Sequence, residues 1–427
     1  MDVPSRYSFI SGCIFVARLL GYGICRVLNV RWPLTTSFVN RHLIYPHILP
    51  RNSFIGTATR FQVLIVSLYL VANTLIVVIG GPRAQMSSRA STMSIINLIP
   101  LLCGSRLSLV TKLAGISLRA SIGSHQWFGR TAIAQMLLHT AISLTGSSPF
   151  TWTASNINGA VVSASGFIFL LSICIVRRVL YEWFLNSHLL LSVVVLIAIW
   201  RHISSKKPAE LFLRIGMYLW TIVTTVHWIL FAKRNFVFGR PFATAVAVRH
   251  YGKSNRLLVD PSHVLQVDIT VPRPWRVEAG QSVFLSIPKL GIFTGLRGHP
   301  FTICWWERDR KGLTISLLVK PRAGFTAELD RHANRKLLAF IDGPYGVRYD
   351  FGQYGTVIMF ATGIGIAGLI PYIKDLISGY NNCAVKTHRI RLVWEIKEQC
   401  QEDWVKHWMD ELLASDTGYV QHPVSNA

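Results

Sequence analysis

The sequence predicts three architectures in series: a multi-span α-helical membrane domain of about seven helices, an antiparallel β-barrel, and a partial α/β nucleotide-binding domain. Three observations predict this. Long uncharged apolar runs fill the first 235 residues, enough for several spans of about 20 residues each. After about residue 255, short β-rich runs alternate with Pro and Gly turns. From Gly355 onward a short apolar strand enters a glycine-rich turn and then a helical pattern. The expected divisions are residues 1–60 (first span and basic loop), 61–235 (transmembrane domain), 236–350 (barrel with its linker) and 351–427 (nucleotide-binding part).

Composition supports the membrane reading. Of 427 residues 15% are charged, against about 25% in a soluble domain, and mean hydropathy is +0.38. The net charge of +24 comes from 44 Lys and Arg against 20 Asp and Glu. These basic residues cluster between apolar runs, which suits the anionic cytoplasmic face of a bilayer and argues against nucleic acid. The seven cysteines form no CxxC, and Cys13, Cys25, Cys103 and Cys174 read as small buried hydrophobes. Arg18 interrupts the first apolar run and no Ala-x-Ala pattern follows, so that segment is expected to stay in the protein.

The expected spans follow in order. Phe61 to Gly81 holds 21 uncharged residues, and Thr131 to Val176 holds 46, broken at Gly146-Ser147-Ser148-Pro149 into two spans. Trp183 to Trp200 and Ile215 to Ala232 give two more; residues 7–28, with Arg18, and 92–110, with Arg106, complete seven. Arg26, Arg31, Arg41, Arg51 and Arg60 share one connection, Lys112 and Arg119 a second, Arg177 and Arg178 a third, and Lys233 and Arg234 follow the last span. Placing these four on the cytoplasmic side puts the C-terminus inside.

Four histidines stand out. His125 and His139 bracket one span and His188 and His202 another, each pair 14 residues apart. On a helix that is about 21 Å and nearly four whole turns, so each pair shares one face. The spans are separated by one other and run the same way, which sets His125 level with His188 and His139 level with His202. Two imidazoles facing each other can fill both axial positions of a haem iron, an arrangement suited to electron transfer. The plainer alternative is histidines hydrogen-bonded at helix ends. His227, without a matched partner, reads as a packing or hydrogen-bonding residue, and His42 and His47 need no special role. Arg130, Arg119 or Lys112 could meet a haem propionate, or simply mark the inner surface.

The second half carries ordered motifs. Gly280-Gln281-Ser282 precedes Arg297-Gly298-His299-Pro300-Phe301-Thr302, where Thr302 offers a hydroxyl to an isoalloxazine edge and Arg297 or His299 could meet a pyrophosphate. Lys320, Gly324 and Thr326 follow in a turn suited to phosphate, then Gly343-Pro344-Tyr345-Gly346 in a tight turn. Each could be an ordinary β-turn; their order argues otherwise. The strand Val357 to Phe360 runs into Thr362-Gly363-Ile364-Gly365 and Gly368, where glycine permits close backbone approach to a dinucleotide. Lys386, His388 and Arg389, about 20 residues on, favour a 2′-phosphate.

Together these motifs resemble the ferric reductase family, relatives of fungal metalloreductases and NADPH oxidases. The resemblance covers roughly residues 60 to 413 and rests on the two His pairs, His299-Pro300-Phe301-Thr302, Gly343-Pro344-Tyr345-Gly346 and Ala361-Thr362-Gly363-Ile364-Gly365. It implies a ferredoxin-reductase-like barrel holding FAD, a C-terminal domain holding NADPH, and two b-type haems on His125/His188 and His139/His202. It further implies electron flow from cytoplasmic NADPH to an outer Fe(III) or Cu(II) chelate, in a multi-pass protein of the plasma membrane, with a downstream metal permease as a possible partner. A superoxide-generating oxidase and a non-catalytic haem adaptor or fragment are the alternatives. Family members continue beyond Trp404 to further strands, so the expectation here is an incomplete NADPH site with flavin binding retained.

Overall fold

The computed structural model describes residues 2–27, 37–49, 57–79, 82–103, 118–145, 165–166, 168, 181–203, 208–236, 246–251, 263–291, 295, 297–309, 312–322, 324–346 and 348–416. The chain divides into two units, Met1–Thr225 and Val226–Ala427.

The first unit is helical. Its long helices are α1 (Val3–Val27), α2 (Arg60–Val78), α3 (Arg83–Cys103), α4 (Leu118–Leu144) and α5 (Tyr181–Ile203), and α6 (Ala209–Asn235) begins in it. A capping box starts α2: the Thr59 hydroxyl accepts from the Gln62 amide at 3.2 Å while the Gln62 side chain accepts from the Thr59 amide at 3.1 Å. From there the helix exposes Leu64, Ile65, Leu68, Val71 and Leu75, a face that suits lipid rather than water.

Among the described residues three helices are long and apolar enough to cross a membrane: Arg60–Val78, Trp183–Ile203 and Ala209–Asn235. The expectation of about seven spans is corrected accordingly. The first expected segment does form a helix, but α1 carries Arg6 and Arg18. Of the 92–110 segment, residues 92–103 lie in α3 (Arg83–Cys103), which includes Arg89 and a run of Ser, Thr and Asn; residues 104–110 lie outside the described residues. Similarly, α4 carries Arg119, Arg130, His125, Gln126 and Gln135, which dilute its apolar character. The break at 146–149, the span expected after it apart from residues 165, 166 and 168, and Arg177–Arg178 lie outside the described residues.

One set of polar side chains inside the first unit is met from within. Asn97 on α3 donates to Asn73 Oδ1 on α2 at 2.7 Å and lies 2.8 Å from Gln135 Oε1 on α4. Gln135 donates back to Asn73 Oδ1 at 3.1 Å, and the Tyr69 hydroxyl donates to Asn97 Oδ1 at 2.9 Å. All three carboxamides are buried. Val77, Met93, Ile96, Val195, Ile199 and Leu213 belong to the unit's apolar cluster.

The second unit holds two antiparallel sheets and a parallel pair. Its strands are β3 (Val246–Tyr251), β4 (Val264–Val271), β5 (Ser282–Ser286), β6 (His299–Thr302), β7 (Trp305–Asp309), β8 (Gly312–Val319), β9 (Phe340–Tyr345), β10 (Thr356–Thr362) and β11 (Arg389–Glu395); a small pair, β1 (His47–Leu49) and β2 (Ala58–Thr59), belongs to the first unit. The sheet orders are β3-β4-β8-β7 and β6-β5-β9. The expected barrel is therefore corrected to two open sheets. A barrel needs continuous pairing around a closed ring, and no ladder joins the two sheets among the described strands. Part of the reason lies at β9: the Asn235 carboxamide takes the Ile341 N–H and donates to the Ile341 carbonyl, both at 2.8 Å. A side chain thus occupies backbone positions that a further strand would use.

Alternation places the core. In β5, Val283 and Leu285 are buried while Ser282 and Phe284 are half-buried, as a sheet with one covered face requires. Leu265, Val267, Ile269, Ile315, Leu317, Val283, Leu285 and Ile341 form one apolar cluster between the sheets. A second cluster joins Trp305, Trp404 and Trp408 to Met359, Ile366, Ile370 and Ile373 of the nucleotide-binding part. Helices α7 (Phe325–Arg331), α8 (Ile370–Asn381) and α9 (Lys406–Ala414) complete the unit. Lys374 of α8 crosses to the β7 segment, its amino group 3.4 Å from the Trp305 ring centre and donating to the Trp306 carbonyl at 2.9 Å. Burial lowers its pKa, while Glu411 and Glu307 push it back up.

Replacing Asn235 by Leu would leave two buried backbone groups of Ile341 unmet, each costing about 1–3 kcal/mol. The N235L variant should melt at lower temperature in the transition reporting the second unit, as followed by tryptophan fluorescence.

Candidate functional site

The four expected histidines are brought together as two pairs. His125 and His139 lie on α4, His188 and His202 on α5. Ring centres are 6.2 Å apart for His125–His188 and 6.3 Å for His139–His202, with interplanar angles of 64° and 61°. Equal steps of 14 residues keep the rings opposed at both levels only because the helices run in the same direction. Two imidazoles on opposite sides of one metal ion, with bonds of about 2.0–2.1 Å and roughly 1.1 Å from nitrogen to ring centre, have centres roughly 6.3 Å apart. Nδ1 of His125 and Nδ1 of His188 are buried with no hydrogen-bond partner among the described residues. By spacing and chemistry the residues fit haem.

The other basic and histidine candidates that are described have neighbours of their own. The Arg130 guanidinium sits over the Trp127 ring, 5.1 Å from its centre. His227 is buried, with Nε2 3.7 Å from Asp342 Oδ2. Asp342 also accepts from the Tyr345 hydroxyl. His42 packs on Phe38 with ring centres 4.5 Å apart. Lys112 lies outside the described residues.

In the second unit, strand register gathers motifs that are distant in sequence. Thr302 of β6, Ser282 of β5 and Tyr345 of β9 form one row, and Pro300, Phe284 and Asp342 the next. Thr302 and Pro300 are exposed and Ser282 and Phe284 half-buried, so hydroxyls and aromatic surface share one open face, a fit for a flavin ring. His299 and Phe301 alternate to the opposite face. There His299 stacks on Phe325 with ring centres 4.1 Å apart and planes at 16°, and Phe301 lies 6.1 Å from the same ring. That contact sets His299 beside the Lys320–Thr326 turn, where Gly324 has φ 65° and the Thr326 hydroxyl accepts from the Arg322 amide at 2.9 Å. Arg297, half-buried, leads into β6. Gly346, at φ +119°, permits a close approach: a Cβ there would lie 2.5 Å from the Gly280 carbonyl oxygen. Ser282 was missed as a candidate in the sequence because a lone serine in a strand carries no signal; only its register neighbours mark it.

The dinucleotide turn is built differently. After β10 comes a 3₁₀ turn, Gly363–Gly368, and α8 starts only at Ile370. Gly363 has φ +46°, its carbonyl accepts from the Trp394 indole at 2.8 Å, and a Cβ added at Gly363, Gly365 or Gly368 would meet nothing within 4 Å. The turn is therefore open where a phosphate would approach. β10 and β11 are parallel, with Thr356 opposite Arg389 and Thr362 opposite Glu395. Lys386, His388 and Arg389 thus stand at the amino end of the pair, about 20 Å of strand from the turn. Ligands of parallel sheets bind at the carboxyl ends, where Glu395 and the exposed Lys397 lie. Counting residues missed this because it could not show that β11 begins only at Arg389 and reaches its carboxyl end at Glu395.

Comparison with known proteins now adds to this geometry. Residues 90–199 match the family model described as ferric reductase like transmembrane component, residues 252–349 an FAD-binding domain, and residues 354–422 a ferric reductase NAD binding domain. The chain belongs to the ferric reductase family. It is 24% identical to ferric/cupric reductase transmembrane component 2 of Saccharomyces cerevisiae, over 100% of this chain and 63% of that one. It is 25% identical to ferric/cupric reductase transmembrane component 1 of Candida albicans, over 76% of this chain and 42% of that one. The chain thus spans about half the length of such relatives. A flavohemoglobin from Malassezia yamatoensis with bound FAD and heme aligns over 83% of this chain and 82% of its own at 13% identity, with a TM-score of 0.37 that carries no weight. The matched models place the chain in an oxidoreductase family with FAD- and NAD-binding modules, and its long apolar helices support a multi-pass membrane protein.

Two glycine variants separate scaffold from ligand contact. G346A should lower the melting temperature of the second unit, since its Cβ meets backbone. G365A, with open space around it, should melt like the unaltered protein but bind nicotinamide dinucleotide roughly tenfold more weakly, by loss of about 1.4 kcal/mol of phosphate contact. Thermal melts and dinucleotide binding by fluorescence quenching check both.

Proposed function

We propose that the chain is a ferric-chelate reductase: NADPH is oxidised on the cytoplasmic side and an Fe(III) or Cu(II) chelate is reduced on the other, with FAD and two b-type haems resident. The observation that carries this reading is the matched opposition of the two histidine pairs, 6.2 and 6.3 Å between ring centres. When bound, the flavin exchanges a hydride pair for single electrons and the haems provide one-electron sites at two depths.

The chain's own residues hold and orient these groups. His125 and His188 would hold one haem, His139 and His202 the other. Thr302 and Ser282 present hydroxyls on the face that would take the flavin, and the Tyr345 hydroxyl is held by Asp342, which keeps its ring beside Phe284 at 5.8 Å. The Gly363–Gly368 turn would take the dinucleotide phosphates through backbone N–H groups. Lys397, at the carboxyl end of β11, is placed for the 2′-phosphate in preference to Lys386, His388 or Arg389. Lys233 and Arg234 close α6, which supports a cytoplasmic second unit.

Three measurements test this reading. H125A and H188A should each remove one low-spin haem from the optical and EPR spectra, and H139A and H202A the other. Unchanged haem content in all four would end the assignment. K397E should raise the KM for NADPH by roughly tenfold, about 1.4 kcal/mol, with K386E changing it little; the reverse order would move the 2′-phosphate to the other end of the sheet. In vesicles of known orientation, NADPH should drive anaerobic reduction of a ferric chelate. Superoxide formed without ferric reduction would point to an oxidase instead.

A further inference from the structure

The two histidine pairs differ in what surrounds them. His139 Nδ1 lies 3.0 Å from the backbone carbonyl oxygen of Ser87 and 2.9 Å from the Ser87 hydroxyl. A carbonyl oxygen can only accept, so this contact puts the ring proton on Nδ1 and leaves the Nε2 lone pair available to a metal. The Ser87 hydroxyl is itself held. It lies 3.2 Å from the hydroxyl of Ser143, one turn beyond His139, and Ser143 donates to the His139 carbonyl at 2.8 Å. Ser87, on the first turns of α3, therefore offers the His139 ring two acceptors from a neighbouring helix. At the other level, Nδ1 of His125 and of His188 meets no such partner among the described residues.

We propose that Ser87 is a positioning residue for His139: its backbone carbonyl fixes the tautomer that presents Nε2 to iron, and its hydroxyl, as a second acceptor, makes that imidazole the stronger donor. This rests on the reading of the His pairs as haem ligands. A hydrogen bond from the distal ring nitrogen raises ligand basicity, and a more basic axial ligand favours ferric over ferrous iron. The haem held by His139 and His202 therefore has the lower midpoint potential of the two.

The experiment uses the full chain purified in detergent, with unaltered protein, S87A, S88A and H139A compared by spectroelectrochemistry and low-temperature EPR. H139A identifies the component belonging to that haem by its loss. S87A, which keeps the backbone carbonyl and removes only the hydroxyl, should retain both haems, shift the midpoint of that same component upward and alter its low-spin EPR signal, leaving the second component in place. S88A, at the exposed neighbouring position, should change neither. If S87A carries two haems with both midpoints and both EPR signals unchanged, or if the other component moves, the assignment of Ser87 falls while the histidine pairs stand. If the unaltered protein shows no pair of low-spin haem signals, the reading of the histidines falls and Ser87 with it.

Discussion

A ring nitrogen, carboxamide or hydroxyl carried into an apolar helix bundle has no water to bond, so each must be met by another group inside. The first unit is arranged around that constraint. Asn73, Asn97 and Gln135 answer one another across α2, α3 and α4, and such a closed set admits few rotational settings of the three helices. One consequence is the orientation of α4. Gln135 stands one turn before His139, so the carboxamides that lock α4 also aim the histidine toward α5. The same register brings Ser87 of α3 to the ring. Polar side chains that would be costly singly become, as a set, what specifies the packing.

The second unit solves a different problem, that of sheet edges. β9 carries Gly343, Pro344 and Tyr345 and needs a partner on the side away from β5. The Asn235 carboxamide supplies both a donor and an acceptor to Ile341 there. Around it, Phe340 packs against Phe231 and Phe236 with ring centres 6.1 and 6.0 Å apart, and Arg234 lies over Trp275. The last turns of α6 are thereby built into the sheet that bears the proposed flavin face. His227 joins the same strand through Asp342, which already holds Tyr345. Fixing β9 in this way keeps the row Thr302–Ser282–Tyr345 in register, and that row is where the motifs converge.

Much of this was legible in the sequence. The 14-residue spacing of two histidine pairs has one geometric meaning on parallel helices, so the pairing of His125 with His188 and His139 with His202 follows from helical rise alone. Strand positions such as Val264–Val271 follow from alternation and turn residues, and the glycine turn after β10 from its backbone freedom. The motif order in the second half pointed to the family that the comparisons support. What composition and periodicity could not weigh was dilution and closure. Arg119, Arg130 and Gln135 lower the apolar character of α4 without preventing it from packing, so counting runs overstated the number of spans. Barrel closure depends on which groups take the strand edges, and a single asparagine some hundred residues away in sequence occupies one of them.

The sequence by itself determined the identities and spacings: which residues carry imidazole, hydroxyl and glycine, and at what intervals along an element. Only the tertiary structure decided which of them meet. Local spacing is set by the fixed rise of a helix or strand, which is a property of the backbone. Meetings across elements depend on register and packing, which no local rule encodes. Ser87 reaches His139 from 52 residues away, and the register of β11 against β10 sets Lys397, not Arg389, at the end of the sheet where the glycine turn opens.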